Sequence, residues 1–462
     1  MADTTVVWFR RDLRVRDQPT FLAAADAADR ALALFVLDPA LLTPSGAARK
    51  NFLYGALREL DEALDGKLLV VEGDPVDVVP RVATAVGAAT VHIAADYGPY
   101  GRRRDGCVEE ALAAVDAELV RSGSPYAVAP DRVRNASGDP FRVFTPFSRA
   151  WADHGWRAPA DTAASTVTWM DPGDSDGGPH AVPIPADEAC EAELPEPGEK
   201  AALALWEQFL DGGVQRYADE RDLPAKNGTS AMSPYLKYGC VHPRTMLAGI
   251  AATRSESAGT YRTEIAWREF YADVLYRRPD SARENYDKRF DALPSEYGKD
   301  AENAFATWQE GRTGFPIVDA GMRQLRARAW MHNRVRMIVA SFLTKDLHLP
   351  WWWGARHFMA LLVDGDLASN QHGWQWTAGS GTDASPYFRI FNPITQGERF
   401  DPDGDYVRRW VPELAGVAGT AVHQPWRLPD GIPEGYPEPM VDHKAERRES
   451  LARYELVKNA RR

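Results

Sequence analysis

Asp366, Asn370 and Trp374 lie within Asp364-Gly-Asp366-Leu-Ala-Ser-Asn370-Gln-His-Gly-Trp374-Gln-Trp376. On a helix they recur at i, i+4 and i+8 and share one face. That face offers a charge, an amide that can donate or accept, and an easily oxidised indole. A structural core disfavours this alignment because unpaired buried polar groups are costly, whereas a redox-active aromatic cofactor would use all three. The plain alternative is an amphipathic helix with one buried tryptophan and a solvated polar edge. Asp364 and Asp366 flank a glycine, but no histidine or carboxylate cluster completes a ligand set, so no metal is expected.

Three other constellations could carry chemistry. Glu264, Trp267, Arg268 and Tyr271 fall at i, i+3, i+4 and i+7, one helical stripe. A surface Glu–Arg pair is the bland reading and contributes a few tenths of a kcal/mol, but the two aromatics on that stripe need a partner. Asn333 and Met337 are one turn apart in Trp330-Met-His-Asn333-Arg334-Val-Arg336-Met337, on a face suited to a pocket. Thr229-Ser230-Ala231-Met232-Ser233-Pro, preceded by Tyr217, places hydroxyls and backbone N–H groups where a loop enters a helix. That suits a phosphate and equally suits an ordinary N-cap.

The elements that position these groups fall into two kinds. Thr5–Phe9, Ala31–Leu37, Leu68–Glu72, Val91–Ala95 and Tyr126–Ala129 read as strands, with amphipathic stretches around 19–28, 47–65, 76–87 and 102–122 between them. Such alternation predicts a doubly wound parallel α/β domain (Rossmann-like) over 1–130. It has neither a first-turn G-x-G-x-x-G nor a Walker A sequence. From 131 to 198 periodicity is lost, and Asp171-Pro-Gly-Asp-Ser-Asp-Gly-Gly-Pro179 and Pro183-Ile-Pro185 are linker chemistry. From 199 to 462 helical patterns dominate, so an all-helical second domain is expected.

Composition agrees with a multidomain globular protein: 462 residues, 44% hydrophobic, no long apolar run. Arg10, Arg11, Asp12 and Arg14 follow Trp8-Phe9 directly, which is unlike a signal peptide. Three scattered cysteines indicate neither a disulfide framework nor a thiolate metal site. The expectation is a cytoplasmic protein. The net charge of −12 argues mildly against a nucleic-acid partner. Local field matters more, and Arg323, Arg326, Arg328, Arg334 and Arg336 crowd one short segment.

Beyond Trp376 the pattern runs on through Gly379-Ser-Gly-Thr-Asp-Ala-Ser-Pro-Tyr-Phe-Arg389-Ile-Phe-Asn392-Pro-Ile-Thr-Gln396. Together, Gly365 to Gln396 resembles the flavin-binding signature of the photolyase/cryptochrome family. The resemblance extends from Trp8-Phe-Arg-Arg-Asp-Leu-Arg14 to Tyr436-Pro-x-Pro-x-Val-x-His443-Lys. It is closest to the bacterial class I cyclobutane pyrimidine dimer photolyases.

The resemblance implies the helical domain binds FAD, with the fully reduced form active, and acts as a light-driven lyase on cyclobutane pyrimidine dimers in UV-damaged DNA. It implies flavin contacts from Tyr217, Thr229, Ser230, Ala231, Met232, Ser233, Tyr261, Arg336, Asp364, Gly365, Asp366 and Asn370. Glu264 would hydrogen-bond the dimer, and Asn333 and Met337 stand where (6-4) photolyases carry histidines. DNA contacts would come from Arg221, Glu264, Trp267, Arg268, Tyr271, Asn333, Arg334, Trp376, Arg389 and Gln396, with Trp267 and Trp376 clamping a flipped-out dimer. Trp374 and Trp351 match the inner and middle members of the family's photoreduction relay. The outermost tryptophan has no counterpart, and Tyr297 is the substitute.

An antenna chromophore is implied in the α/β domain, near Phe35, Leu37, Asp38, Asp96, Arg104 and Lys237. Lys237 favours an 8-hydroxy-5-deazaflavin over methenyltetrahydrofolate. A monomer with no membrane association is expected. A blue-light-sensing cryptochrome is the alternative, set against by Glu264 with Met337 and by the absence of a long tail after Arg462.

Overall fold

The computed structural model describes residues 2–174 and 178–459. Residues 175–177 of the Asp171–Pro179 turn lie outside them. Contacts group the chain into two compact units. One holds Met1–Ala189, Pro195–Val214 and Ser230–Pro279, the other Cys190–Leu194, Gln215–Thr229 and Asp280–Arg462.

In the first unit, β1 (Ala2–Phe9), β2 (Ala28–Leu37), β3 (Leu68–Glu72), β4 (Thr90–Ile93) and β5 (Glu118–Arg121) form an all-parallel sheet ordered β3-β2-β1-β4-β5. Register is carried by pairs such as Val7↔Ala33, Val6↔Val91 and Phe35↔Val70. Sheets covered on both faces bury nearly every strand residue, and Val6, Val7, Leu32, Ala33, Leu34 and Val91 are all fully buried. The helices Pro19–Ala27, Ala47–Ala63, Pro75–Ala85 and Pro99–Ala113 supply that cover. Their starts follow local rules: Asp74 caps the third by accepting from Val76 N at 2.9 Å, with Pro75 at the first position.

One strand differs from the sequence reading. Tyr126–Ala129 is not a strand, because Ala127 N and Val128 N donate to the Glu269 carboxylate at 2.5 and 2.9 Å instead of to a neighbouring strand. The fifth strand is Glu118–Arg121, inside the stretch read as helix to 122. That helix stops at Ala113, and Asp116 turns the chain in a left-handed conformation (φ 57°). The segment read as an aperiodic linker also contains a helix, Phe144–His154, which buries Phe144, Phe147 and Trp151.

The second unit is helical, with no strand among its described residues. Its core gathers Trp308, Phe315, Leu325, Val335, Val339, Phe342, Phe358 and Trp374, each worth roughly 1.5–3 kcal/mol on burial. A buried carboxylate organises one end. Asp319 accepts from Thr313 N, Thr313 Oγ1, Gly314 N and Tyr436 Oη at 2.6–3.1 Å. Tyr436 and His443 of the C-terminal motif are therefore structural, His443 Nδ1 pairing with Asp346 at 2.5 Å.

Candidate functional site

Helix Asn333–Ser341 starts on His332, whose Nδ1 accepts from Arg334 N at 3.2 Å. Burial drops the pKa of His332 to about 4, so the cap is a neutral imidazole. Asn333 is exposed, and Met337, one turn on, is half-buried. Arg336 donates through Nε to Met331 O (2.7 Å) and through Nη2 to Asp364 Oδ2 (2.8 Å). Asp364 is buried, and its Oδ1 has no partner among the described residues. A buried acceptor left open costs free energy unless a ligand donor meets it. Gly365 is buried beside it.

Asp366 stands at the head of the helix that carries Asn370 and Trp374, one turn before Asn370, whose backbone N–H donates to the Asp366 carbonyl at 2.9 Å. It is the N-cap of helix Leu367–Ala378 and accepts from Ser369 N at 3.1 Å. Asn370 spends both N–H groups, on Ala355 O (3.0 Å) and Gln371 Oε1 (2.8 Å), so its amide oxygen is fixed in place. These acceptors suit a planar ring that presents N–H donors, as an isoalloxazine does. Tyr217 is buried, with the Arg221 guanidinium 5.4 Å from its ring centre, and Thr229 is half-buried.

Trp374 is buried against Phe358 (5.0 Å) and Trp308 (6.2 Å). Gly354 makes room for it: a Cβ there would sit 2.1 Å from the indole. Ring contacts continue from Trp308 to Phe305 (5.6 Å), Trp353 (5.3 Å) and exposed Tyr297 (6.1 Å). Trp351 instead touches Trp352 at 5.9 Å and donates from Nε1 to Asn285 Oδ1 at 2.9 Å. Sequence matching takes Trp351 and Tyr297 as relay members and sets Trp308 aside because it matches a different family position; it does not name Phe305 and Trp353 for the relay.

Arg334, Trp376, Arg389, Asn392, Gln396 and Arg399 help line a cavity of about 530 Å³. Three arginines around an indole make a local cationic surface in an acidic chain. Arg399 was missed by motif reading, although it follows Gln396 by one helical turn on Pro393–Phe400. Arg334 is already paired, with Nη2 and Nε on Asp222 at 2.6 and 3.2 Å.

The first unit carries the rest. Ser230 Oγ and Tyr261 Oη share a buried hydrogen bond of 2.8 Å, and Ala231 is left-handed (φ 51°). The short helix Ser233–Tyr238 is preceded by Met232, which is buried and makes no side-chain cap, while the Ser230 hydroxyl is taken by Tyr261. On Glu256–Arg277, Glu264 and Tyr271 are half-buried. Trp267 lies flat on Phe144, with centroids 3.6 Å apart and planes 8° apart. Phe144 sits in the segment read as linker, and only the fold reveals it. Arg268 donates to Pro125 O (3.0 Å) and Leu236 O (3.1 Å), a bracing role.

Leu37, Asp38, Asp96 and Arg104 gather at the carboxyl ends of the strands, where open α/β sheets bind ligands. Asp38 accepts from Tyr100 Oη at 2.5 Å, and Arg104 bonds Asp105 at 2.8 Å and lies 3.5 Å from Asp96. Burial would raise the pKa of Asp96, but Arg11 and Arg104 outweigh it and pull it down. Lys237 is half-buried on Ser233–Tyr238. No group of histidine, cysteine and carboxylate side chains among the described residues could hold a metal, and no helix is long and apolar enough to cross a membrane.

Residues 5–165 match the family described as DNA photolyase, and residues 261–456 match the FAD binding domain of DNA photolyase. Deoxyribodipyrimidine photo-lyase of Streptomyces griseus is 42% identical over 98% of both chains. The Escherichia coli protein of the same name is 38% identical over 99% of this chain and 100% of its own. A bacterial class III photolyase from Agrobacterium tumefaciens superposes with a TM-score of 0.90 at 37% identity, covering 100% of this chain and 98% of that one. A Synechocystis cryptochrome gives 0.87 at 27% identity, covering 99% of each. The fold and site define a flavin-binding α/β-plus-helical protein. The chain belongs to the DNA photolyase family.

Proposed function

We propose that this protein is a light-dependent DNA repair lyase, a deoxyribodipyrimidine photo-lyase that acts on cyclobutane pyrimidine dimers in UV-damaged DNA. The observation that carries this reading is the arginine-rimmed cavity around Trp376 in a chain of net charge −12, a focused field where an acidic protein would otherwise repel DNA. Arg336, Asp364, Gly365, Asp366, Asn370, Tyr217 and Thr229, with Ser230, Ala231, Met232, Ser233 and Tyr261, would hold FAD. Asp364 Oδ1 would accept a ring N–H. Bound reduced FAD would supply, on absorbing near-ultraviolet or blue light, an electron that returns once the cyclobutane ring has opened.

The chain's own residues do the positioning. Arg221, Arg334, Arg389 and Gln396 would fix the DNA backbone. Trp376 and Trp267 would stack on the extruded dimer, whose weakened pairing lowers the cost of flipping. Phe144 holds the Trp267 ring flat for that contact. Asn333 would donate from its amide to a pyrimidine carbonyl, where negative charge builds, and Glu264 would hydrogen-bond the dimer by accepting from a pyrimidine N–H. The test is loss of dimers from an oligonucleotide under visible light with a dark control. No light-dependent loss would overturn the reading. Glu264→Ala should keep its flavin and lose most splitting, and a normal yield would remove Glu264 from the site.

Light sensing is the second reading, favoured by the likeness to the Synechocystis cryptochrome, and a fully active repair assay decides against it as the sole role. Within the family, the class I placement rests on motif likeness, while the superposed Agrobacterium tumefaciens structure is that of a class III photolyase. A tree of full-length sequences from both classes separates the two. For the antenna we propose 8-hydroxy-5-deazaflavin, with Lys237 pairing with its ionised hydroxyl. Reconstitution with each chromophore tests this, and folate uptake with Lys237→Ala leaving deazaflavin binding unchanged would overturn it. The division into 1–130, 131–198 and 199–462 predicts limited proteolysis within 131–198. A cytoplasmic monomer predicts a single mass near 51.2 kDa by light scattering and recovery in the soluble cell fraction.

A further inference from the structure

Lysine is almost never fully buried unless paired, yet Lys345 is 1% exposed in the second unit. It lies in the π-helical turn Phe342–Asp346 that continues helix Asn333–Ser341. Its Nζ donates to Arg389 O at 3.1 Å and sits 5.0 Å over the Tyr387 ring. No carboxylate forms an ion pair with it among the described residues. The adjacent buried Asp346 turns its Oδ1 to His443 instead. Burial brings the Lys345 pKa down to about 7, against the pull of Asp346.

A buried lysine amine satisfied by one carbonyl and one ring face is a poor stability device. Its contacts all point to one place. Arg389 O belongs to the loop between helices Leu367–Ala378 and Pro393–Phe400, and Tyr387 is packed from beneath by Tyr454 at 4.6 Å and bonded to Ser450 at 3.1 Å. A second tie comes from the same helix, where Ser341 Oγ accepts from Phe391 N at 3.3 Å. Between these ties, Phe388 (63% exposed) and Arg389 project outward.

We propose that Lys345 is a positioning residue that pins the Tyr387–Phe391 loop from inside the protein, holding Arg389 and Phe388 ready for damaged duplex DNA. The DNA half of this rests on the function proposed above. A pinned loop has already lost the conformational entropy that a free one loses on binding. Helix Asn333–Ser341 thus carries lesion-facing Asn333 at one end and the loop's anchor at the other, so the two are held in fixed relation.

Lys345→Met keeps the length and apolar bulk while removing the donor and the charge. Three readouts are expected in the full-length flavin-loaded protein. Amide exchange at 387–391 speeds up, while that of Asn333–Ser341 does not. Affinity for dimer-containing duplex falls about tenfold, the size of one lost hydrogen bond. Single-turnover splitting at saturating DNA is unchanged, which a general structural defect would not spare. Ser341→Ala, the weaker tie, should give a smaller change of the same kind and keeps the test available if Lys345→Met does not fold. Unchanged exchange at 387–391 in the folded variants overturns the pin. A loosened loop with wild-type affinity overturns its role in DNA binding. A wild-type protein that splits no dimers would sink the function proposed above, while the exchange result would still decide the pin.

Discussion

Arg336→Ala tests the centre of the proposed flavin site without any flavin. The Arg336 side chain is 25% exposed and that of Asp364 3%, so the mutation strands a carboxylate in the core. At an effective dielectric of 20, a pair at contact gains about 4 kcal/mol, most of which repays desolvation. Breaking a buried pair typically costs about 3–5 kcal/mol. The vacated, quarter-exposed arginine site admits water, which brings the expected loss down to about 2–3 kcal/mol. Asp364→Asn keeps the shape and the acceptor but not the charge, and should cost about 1 kcal/mol. In the double variant the stranded charge is gone, so the two losses should fall short of additivity by about 1–2 kcal/mol. The assay is urea unfolding of the apoprotein, because FAD at 100 times its Kd would add about 2.7 kcal/mol and mask the cycle. Unfolding should be followed by exchange of the Asn333–Ser341 amides, since a chain of two units need not melt in one step. A loss below about 0.5 kcal/mol for Arg336→Ala, or strict additivity, would refute the reasoning.

The remaining expectations are briefer. Asp222→Ala should tighten DNA binding and steepen its salt dependence by freeing Arg334, whereas Arg389→Ala should lower the log–log slope by about one; no change in slope for either removes the cationic cavity from the interface. Trp308→Phe should slow flavin photoreduction at least as much as Trp351→Phe, because the ring contacts from Trp374 run through Trp308. Transient absorption reads this, and loss confined to Trp351→Phe would restore the order taken from sequence matching. Burial lowers the pKa of His332, His357 and His372 to about 4 each. Between about pH 6.5 and 4 the unfolded chain binds more protons at these sites, so the second unit should lose stability on acidification, by up to about 3 kcal/mol per histidine. A flat stability profile over that window would contradict it.

The sequence alone determined what local periodicity and a long motif can carry. Four of five strands, the helices between them and the helical second half followed from spacing, because a period of 2 or 3.6 is a property of a short segment. The run from Gly365 to Gln396 identified the family because its many fixed residues lie close together in the chain. Only the tertiary structure decided the matters that depend on distant partners. Glu269 takes the amides of Ala127 and Val128, so a plausible strand is a loop and Glu118–Arg121 becomes the strand instead. Phe144 lies under Trp267 across more than a hundred residues, and Asp222 holds Arg334 across a similar gap. Gly354 reads as a weak spot in a helix until the Trp374 ring is seen filling its place. Lys345 reads as an ordinary lysine until the fold closes over it. In each case the deciding energy is a contact between residues far apart in the chain, and no window along the sequence contains both ends.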